Sequence, residues 1–312
     1  MSRILTLTLN PALDLTVRLL DLRLGEVNRS EAVITHAAGK GLNVAQVLAD
    51  LGHTLTVSGF LGADNAEAFD ALFARRGFAD AFVRVPGETR SNIKLAEQSG
   101  CVTDINGPGP EVTAEAQADL LAKLDQIVPG HDLVVVAGSL PRGVTPEWLA
   151  ALIQRLNSMG VRVALDTSGA ALRAGLAAGP WLIKPNTEEL SEACSEPAES
   201  AEQQAALVER LKAQGIAHIV ISQGSAGVRW FGPQVWQSTP PTVQVASTVG
   251  AGDSLLAGMV HGLLSGWSPD DTLRHATAIA ALAVTQIGFG INDPARLAEL
   301  AGGVHVQAIT EQ

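Results

Sequence analysis

From Thr113 onward, short apolar runs alternate with helical stretches, and that alternation narrows the fold more than any other feature of the chain. Residues 133–137, 161–165, 181–184 and 216–222 read as buried strands. Between them lie helical segments with clear boundaries. Residues 114–127 form one. A second opens on Thr145-Pro146, an N-cap hydroxyl followed by proline at the first helical position, and stops at Gly160. Residues 170–177 form a third, and a capping box of Ser200 with Gln203 opens a fourth that ends near Gly215. Strands alternating with helices predict an α/β fold, a mostly parallel sheet with helices on both faces. With 312 residues, 46% of them hydrophobic, the chain can build one large domain over residues 1–312 with a small accessory sheet. Such sheets bind ligands at the carboxyl ends of their strands. Polar or glycine-rich groups recur at those ends: Asn10 to Asp14, Gly138-Ser139, Lys184-Pro185-Asn186, and Ser222 to Gly227.

The N-terminal third differs. Residues 4–9 read as a core strand, and 15–20 and 32–36 as further strands. A helix follows Gly39, with Leu42, Ala45, Leu48 and Leu51 at helical spacing. Residues 55–60 read as a strand and 65–76 as an amphipathic helix. Residues 81–85, 91–97 and 101–106 are strand candidates with no long helix among them. The expectation is a small β-sheet inserted from about 13–36 and 81–106, placed to serve as a lid or a dimer surface. Later, 228–231 and 235–238 read as a hairpin and 242–246 as a strand. The last helices open at Ser268-Pro269, with Asp271, and at Asp293-Pro294.

A formal net charge of -11 argues against nucleic acid or an anionic membrane as the main partner. No run of 18 apolar residues is present, so no membrane span is expected. The first residues alternate like a strand and lack a signal-peptide pattern. Cys101 and Cys194 have no metal or redox spacing. Together these features predict a cytoplasmic protein with reduced thiols. The histidines are scattered without metal-ligand spacing, and no Gly-x-Gly-x-x-Gly follows the first strand, which leaves a dinucleotide site weakly supported.

Six places carry candidate chemistry. In Ser247-Thr248-Val249-Gly250-Ala251-Gly252-Asp253-Ser254, small residues precede a helical run. Unpaired N–H groups at a helix start, with the helix dipole, stabilise an anion. Asp253 would take a proton from an attacking hydroxyl, or simply cap its helix. Gly39-Lys40-Gly41-Leu42-Asn43 is a second glycine-rich helix start; it fits a sugar or phosphate contact, or a tight turn, and is not a P-loop. Asp14 would accept sugar hydroxyls or form a turn. Arg90, Asn92 and Lys94 alternate, so a strand would put them on one face, suited to a phosphate or to solvent. Asn186 and Glu189 fit either a hydrated Mg²⁺ or an N-capped helix start, and Ser222 to Gly227 either nucleotide phosphates or a hairpin turn.

Taken together, Gly39 to Asn43, Asn186 to Glu189 and Thr248 to Asp253 resemble the ordered motifs of the ribokinase-like PfkB family of sugar kinases, and the likeness runs along the whole chain. Several stretches are similar to the phosphosugar branch of that family, in particular to members acting on fructose 1-phosphate. They are Thr6-Leu7-Thr8-Leu9-Asn10-Pro11-Ala12-Leu13-Asp14, Leu24-Gly25-Glu26-Val27-Asn28, Thr89-Arg90-Ser91-Asn92-Ile93-Lys94, Val102-Thr103-Asp104-Ile105-Asn106 and Ser139-Leu140-Pro141.

The resemblance implies a Rossmann-like three-layer core with a small β-sheet lid and a homodimer through that lid. It implies Mg²⁺ with ATP as cosubstrate and phosphoryl transfer to the 6-hydroxyl of fructose 1-phosphate. Asp253 would act as base, with Gly250, Ala251 and Gly252 stabilising the transferring group. Asp14, Gly39 and Asn43 would hold sugar hydroxyls. Arg90, Asn92, Ser139, Lys94 and Lys40 would meet the existing phosphate. Lys184, Asn186, Ser222, Gly224, Gly227 and Thr248 would join Gly250 and Gly252 at the nucleotide, with Glu189 at the metal. A monovalent cation is left open. The alternatives are a kinase for tagatose 6-phosphate or fructose 6-phosphate, a non-catalytic sugar-phosphate sensor and, last, an NAD-dependent dehydrogenase.

Overall fold

The computed structural model describes residues 1–309. Along the chain come β1 (Arg3–Thr8), β2 (Ala12–Leu19), β3 (Ala32–Ala38), α1 (Lys40–Asp50), β4 (Thr54–Gly62), α2 (Glu67–Arg76), β5 (Ala79–Asp80), β6 (Val83–Val85), β7 (Ser91–Glu97) and β8 (Val102–Asn106). Then follow α3 (Ala114–Ile127), β9 (Leu133–Ala137), α4 (Pro146–Ser158), β10 (Arg162–Asp166), α5 (Gly169–Ala177), β11 (Leu182–Ile183), α6 (Thr187–Cys194), α7 (Ala201–Ala213) and β12 (His218–Ser222). The chain closes with β13 (Val228–Phe231), β14 (Val235–Thr239), α8 (Ala251–Leu264), α9 (Pro269–Val284), α10 (Pro294–Gly303) and β15 (His305–Ile309).

The large sheet runs β15-β14-β13-β12-β11-β10-β9-β1-β4-β5, with β6 on the far end of β4. Strands β5 through β12 in that order are parallel, and β13, β14 and β15 close one side antiparallel. Consecutive residues of the central strands feed opposite cores. Leu133, Val135 and Ala137 pack with α1, α2, α8, α9 and α10 residues such as Val44, Phe69, Leu256, Leu273 and Leu297. Val134 and Val136 pack with Leu120, Leu149, Leu172, Leu190 and Leu207 from α3 to α7. A sheet buried on both faces needs continuous apolar strands, which is why the sequence shows runs rather than alternation here.

A second sheet of four strands runs β3-β2-β7-β8. Its central pair is parallel, with Asp14 opposite Asn92, and its outer strands are antiparallel. Residues 81–90 do not join it as the sequence pattern suggested. Val83 and Val85 extend the large sheet by pairing with Phe60 and Gly62, because both are buried in the core shared with Leu120 and Leu124. Residues 242–246 form no strand: both edges of β14 are taken by β13 and β15, and Ala246 and Ser247 N–H donate to the Val284 carbonyl at the end of α9. Strand β15, absent from the sequence reading, takes that outer edge.

β1 connects through β2, β3 and α1 to β4 on one side, whereas the later strands β9 to β12 build outward on the other. The switch point therefore lies between β1 and β9. Asn10, just past β1, reaches across it: its Nδ2 donates to Ser139 Oγ at 3.1 Å and to the Leu140 carbonyl at 3.3 Å. That crevice is where open α/β sheets place ligands.

Candidate active site

Two helix N-termini converge over the crevice. α1 begins after Gly39, whose φ of 141° is open to glycine but strained for other residues. α8 begins after Gly250, which holds the left-handed conformation at φ 82°. Neither helix has a side-chain cap, so the first-turn N–H groups keep their capacity for an external acceptor.

Asp253, in the first turn of α8, is only 5% exposed, and Asn43 Nδ2 donates to its Oδ2 at 2.8 Å. Asp166, the last residue of β10, is 1% exposed and stands between two lysines. Lys40 Nζ is 3.3 Å from its Oδ1 and Lys184 Nζ is 3.5 Å from its Oδ2. Lys184 also lies close over Gly252, where a Cβ would come within 3.1 Å of its ammonium. The electrostatics follow. Burial and the neighbouring Asp166 carboxylate push Asp253 up to about 6, against Lys40, the Asn43 amide and Lys184, which favour its charge. For Lys40, burial works against the charge, but Asp166, Asp253 and Glu189 more than offset it and its pKa is raised.

The facing wall comes from the small sheet. Asp14 and Asn92 are register neighbours on one face, and Asn92 Nδ2 donates to Asp14 Oδ1 at 3.1 Å. Burial raises Asp14, opposed by that hydrogen bond and by Lys94, Arg90 and His36. Arg90 precedes β7. Its Nε and Nη2 donate to the Pro11 and Asn10 carbonyls at 3.3 and 3.2 Å, while its own carbonyl accepts from Leu13 N–H at 2.8 Å. The guanidinium plane is thus fixed at the cavity wall. The floor is closed by the capping box of α6: Asn186 Oδ1 accepts from Glu189 N–H at 2.7 Å, and Glu189 Oε2 from Asn186 N–H at 2.9 Å. The pair thus caps its helix and lines the cavity at once.

A cavity of about 400 Å³ results. It gathers most of the expected residues: Asp14, Gly39, Lys40, Asn43, Arg90, Asn92, Lys184, Asn186, Glu189, Ser222, Gly250, Gly252 and Asp253, with Ala12 and Val249. Lys94, Ser139, Gly224, Gly227, Thr248 and Ala251 do not line it. Lys94 faces Asp104 at 4.0 Å, and Ser139 is engaged by Asn10. Gly224 and Gly227 shape the turn between β12 and β13, and Ala251 is the first residue of α8, behind Gly250. Asp166 escaped the sequence reading, which ended its strand at Leu165. A carboxylate finishing a buried strand was the available signal.

The cavity therefore pairs a buried carboxylate with helix N-termini, two lysines on one side and an anchored arginine on the other. Such a site can deprotonate a hydroxyl while stabilising a transferring anion. Residues 7–296 match the pfkB family of carbohydrate kinases. The chain belongs to that family. Its pfkB relatives include a 1-phosphofructokinase of Vibrio cholerae, 46% identical over 98% of this chain and 97% of the relative. Another, from Escherichia coli, is 46% identical over 98% of each chain. Among solved pfkB-type structures, phosphofructokinase-2 of Escherichia coli in complex with fructose-6-phosphate superposes with a TM-score of 0.87 at 27% identity, covering 97% of this chain and 99% of that one.

Among the described residues no cluster of three or more His, Cys, Asp and Glu is built to cage a metal. Mg²⁺ needs no such cage, because it keeps several waters and is bound by one or two carboxylates plus substrate phosphates. Glu189 Oε2 is committed to its capping box, and the other carboxylate oxygen of this cavity-lining residue is the donor that fits such an ion. No helix among the described residues is long and apolar enough to cross a membrane.

The pKa of Asp253 makes a stability prediction. Because its folded value lies above the unfolded one, its ionised form costs stability above about pH 6, and the cost is relieved as pH falls toward about 4. Asp253→Asn should therefore melt at a higher temperature than the natural protein at about pH 8, with the gain vanishing near pH 4. Melting curves across that range check it, and a gain that does not depend on pH would contradict the burial argument.

Proposed function

We propose that this chain is a 1-phosphofructokinase, transferring the γ-phosphoryl of MgATP to the 6-hydroxyl of D-fructose 1-phosphate to give fructose 1,6-bisphosphate and ADP. One observation carries the reading: Asp253, at about 6, sits at the N-terminus of α8 across a cavity from the anchored Arg90. The relatives named for that activity, 46% identical over nearly their whole length, support the choice of sugar.

Asp253 accepts the proton of the 6-hydroxyl as that oxygen bonds to the γ-phosphorus and the bridging bond to ADP breaks. A carboxylate near 6 is a better acceptor than an ordinary aspartate near 3.9. Phosphoryl transfer passes through a loose transition state, so placement and charge stabilisation supply most of the acceleration. Gly250, Ala251 and Gly252 provide the α8 first-turn N–H groups and Lys184 a fixed positive charge. Asn43 orients the Asp253 carboxylate. Asp14, Gly39 and Asn43 hold sugar hydroxyls, and Arg90 with Asn92 receives the 1-phosphate, with Lys40 in reach of anionic groups. Ser139 acts through Asn10, and Lys94 from the edge of the same face. Asn186, Ser222, Gly224, Gly227 and Thr248 surround the nucleotide, and Glu189 is the residue that would hold Mg²⁺. Bound Mg²⁺ would neutralise charge on the ATP phosphates.

The small sheet serves two purposes in this reading. Its cavity face carries Asp14 and Asn92, with Lys94 further along the same face outside the cavity lining, so it acts as a lid over the sugar. Its opposite face carries Leu15, Val17, Val33, Ile93, Leu95 and Ile105, with Val33 55% and Ile105 52% exposed. A second copy of the chain covers that apolar face. Ile93→Glu should convert a dimer to a monomer in sedimentation velocity, and a natural protein that sediments as a monomer would end this part of the proposal.

Substrate choice is tested by ADP release with fructose 1-phosphate, fructose 6-phosphate and tagatose 6-phosphate. The expected preference for fructose 1-phosphate is about tenfold or more in kcat/KM, or ~1.4 kcal/mol. A preference for a 6-phosphate would replace the sugar while leaving the family chemistry intact. Asp253→Asn should lower turnover by about 10²–10⁴-fold. Arg90→Ala should raise the phosphosugar KM by ~10-fold or more through loss of charge-assisted hydrogen bonds, leaving that for ATP within about twofold. Equal effects on both substrates would remove Arg90 from the phosphate site.

A further inference from the structure

The α8 N-terminus lacks a side-chain cap, so something else must hold Gly250 in place. The contact comes from far along the sequence. A Cβ on Gly250 would lie 3.0 Å from Phe289 Cε1 and 3.1 Å from Phe289 Cδ1, so the ring lies against that α-carbon. Phe289 is half-buried in the turn that follows α9.

That turn is pinned at several points. Gln286 Nε2 donates to the Gly290 carbonyl at 2.7 Å, closing it. The Val284 carbonyl accepts from Ala246 N–H at 2.7 Å and Ser247 N–H at 3.2 Å, tying it to the segment leading into Gly250. On its far side Ile291 N–H donates to Asp50 Oδ2 at 2.7 Å. Asp50 is the last residue of α1 and is held in turn by Arg76 Nη2, 2.7 Å from its Oδ1. Gly290, at φ 95°, lets the carboxylate come this close, for a Cβ there would be 2.5 Å from Asp50 Oδ2.

One helix therefore touches the α8 start in two ways. Near its beginning, Asn43 holds Asp253 directly. About two turns further on, Asp50 holds the turn that seats Phe289 on Gly250. We propose that Asp50 and Phe289 are positioning residues for phosphoryl transfer, fixing the left-handed Gly250 and the N–H groups beside it relative to Asp253. The inference rests on the reading of the α8 N-terminus as the phosphoryl site, whichever phosphosugar is the acceptor. Loss of a single donor from such a site costs about 10²–10³-fold in rate, and a misplaced donor set should lose a substantial part of that.

The test uses the full chain and the best acceptor found for it, following ADP formation in a single turnover. Asp50→Ala and Phe289→Ala should each slow that step by ~10-fold or more while the phosphosugar KM stays within about twofold. Phe289→Tyr, which keeps the ring, should return most of the rate. Because both residues act through one turn, the double variant should be no slower than about the slower single one. The inference is overturned by single variants that melt earlier yet turn over at the natural rate, by a rise in phosphosugar KM alone, or by Phe289→Tyr as slow as Phe289→Ala. If Asp50→Ala does not fold, the Phe289 pair decides by the same criteria. A natural protein with no turnover on any phosphosugar would remove the underlying reading as well, whereas an active one with indifferent variants overturns this inference alone.

Discussion

A carboxylate that must stay out of water and yet ionise sets the terms for this structure. Asp253 is 5% exposed, and an unpaired charge there would cost several kcal/mol. The fold offsets the cost with the Asn43 amide, the N-terminal end of α8, and the positive charges of Lys40 and Lys184. It does not offset it fully, because Asp166 draws the same two lysines toward itself at 3.3 and 3.5 Å. The residue ends up near 6, ionised at neutral pH but only by a modest margin. A full complement of cations would have stabilised the fold and lowered the proton affinity of Asp253. Sharing two lysines between two carboxylates accepts some instability and leaves the proton affinity that the proposed base requires.

That compromise depends on backbone that is hard to move. α1 and α8 lie on one face of a sheet whose central strands are buried on both sides, so neither helix can tilt without opening a core. α8 is further locked to α9, where a Cβ on Gly258 would lie 2.5 Å from the Ala276 α-carbon. Asn43 and Asp253 thus meet at a fixed separation. The charged cluster draws Asp166 from the end of β10, Lys184 from just past β11, and Lys40, Asn43 and Asp253 from helix starts, all at the carboxyl side of the sheet.

The parts of this arrangement that the sequence discloses are those coded over short distances. Apolar runs of strand length, the proline and hydroxyl at Thr145-Pro146 and the capping box at Ser200 each specify an element from its own residues, and each element formed. The glycine-rich helix starts at Gly39 and Gly250 were visible for the same reason, and they lie together in one cavity. What escaped depends on pairing at a distance. Residues 242–246 look like a strand but pair with none, and Val83 with Val85 joins the large sheet beside Phe60 and Gly62, in the core they share with Phe60. Asp166 is a single letter after a strand until Lys40 and Lys184, from separate elements, close around it. Asp50 and Phe289 carry no motif at all. Their roles exist only because a turn after α9 reaches the end of α1.

β2 shows how much one short strand is made to carry. Its eight residues alternate, so Asp14 faces the cavity beside Asn92 while Leu13, Leu15, Val17 and Leu19 point the other way. In the proposed dimer Leu15 and Val17 are buried against another copy and Asp14 touches the sugar, while Leu19 is already buried within the chain and Leu13 packs on the main core. A shift of one residue in the pairing with β7 would exchange the two faces completely, placing leucines over the cavity and Asp14 in the apolar contact. The Asn92–Asp14 hydrogen bond at 3.1 Å and the tie from Leu13 N–H to the Arg90 carbonyl at 2.8 Å both oppose that slip. The second of these also anchors the residue proposed to hold the 1-phosphate. Register, partner surface and substrate contact are therefore set by the same few bonds, and a change that loosens one of them reaches the other two.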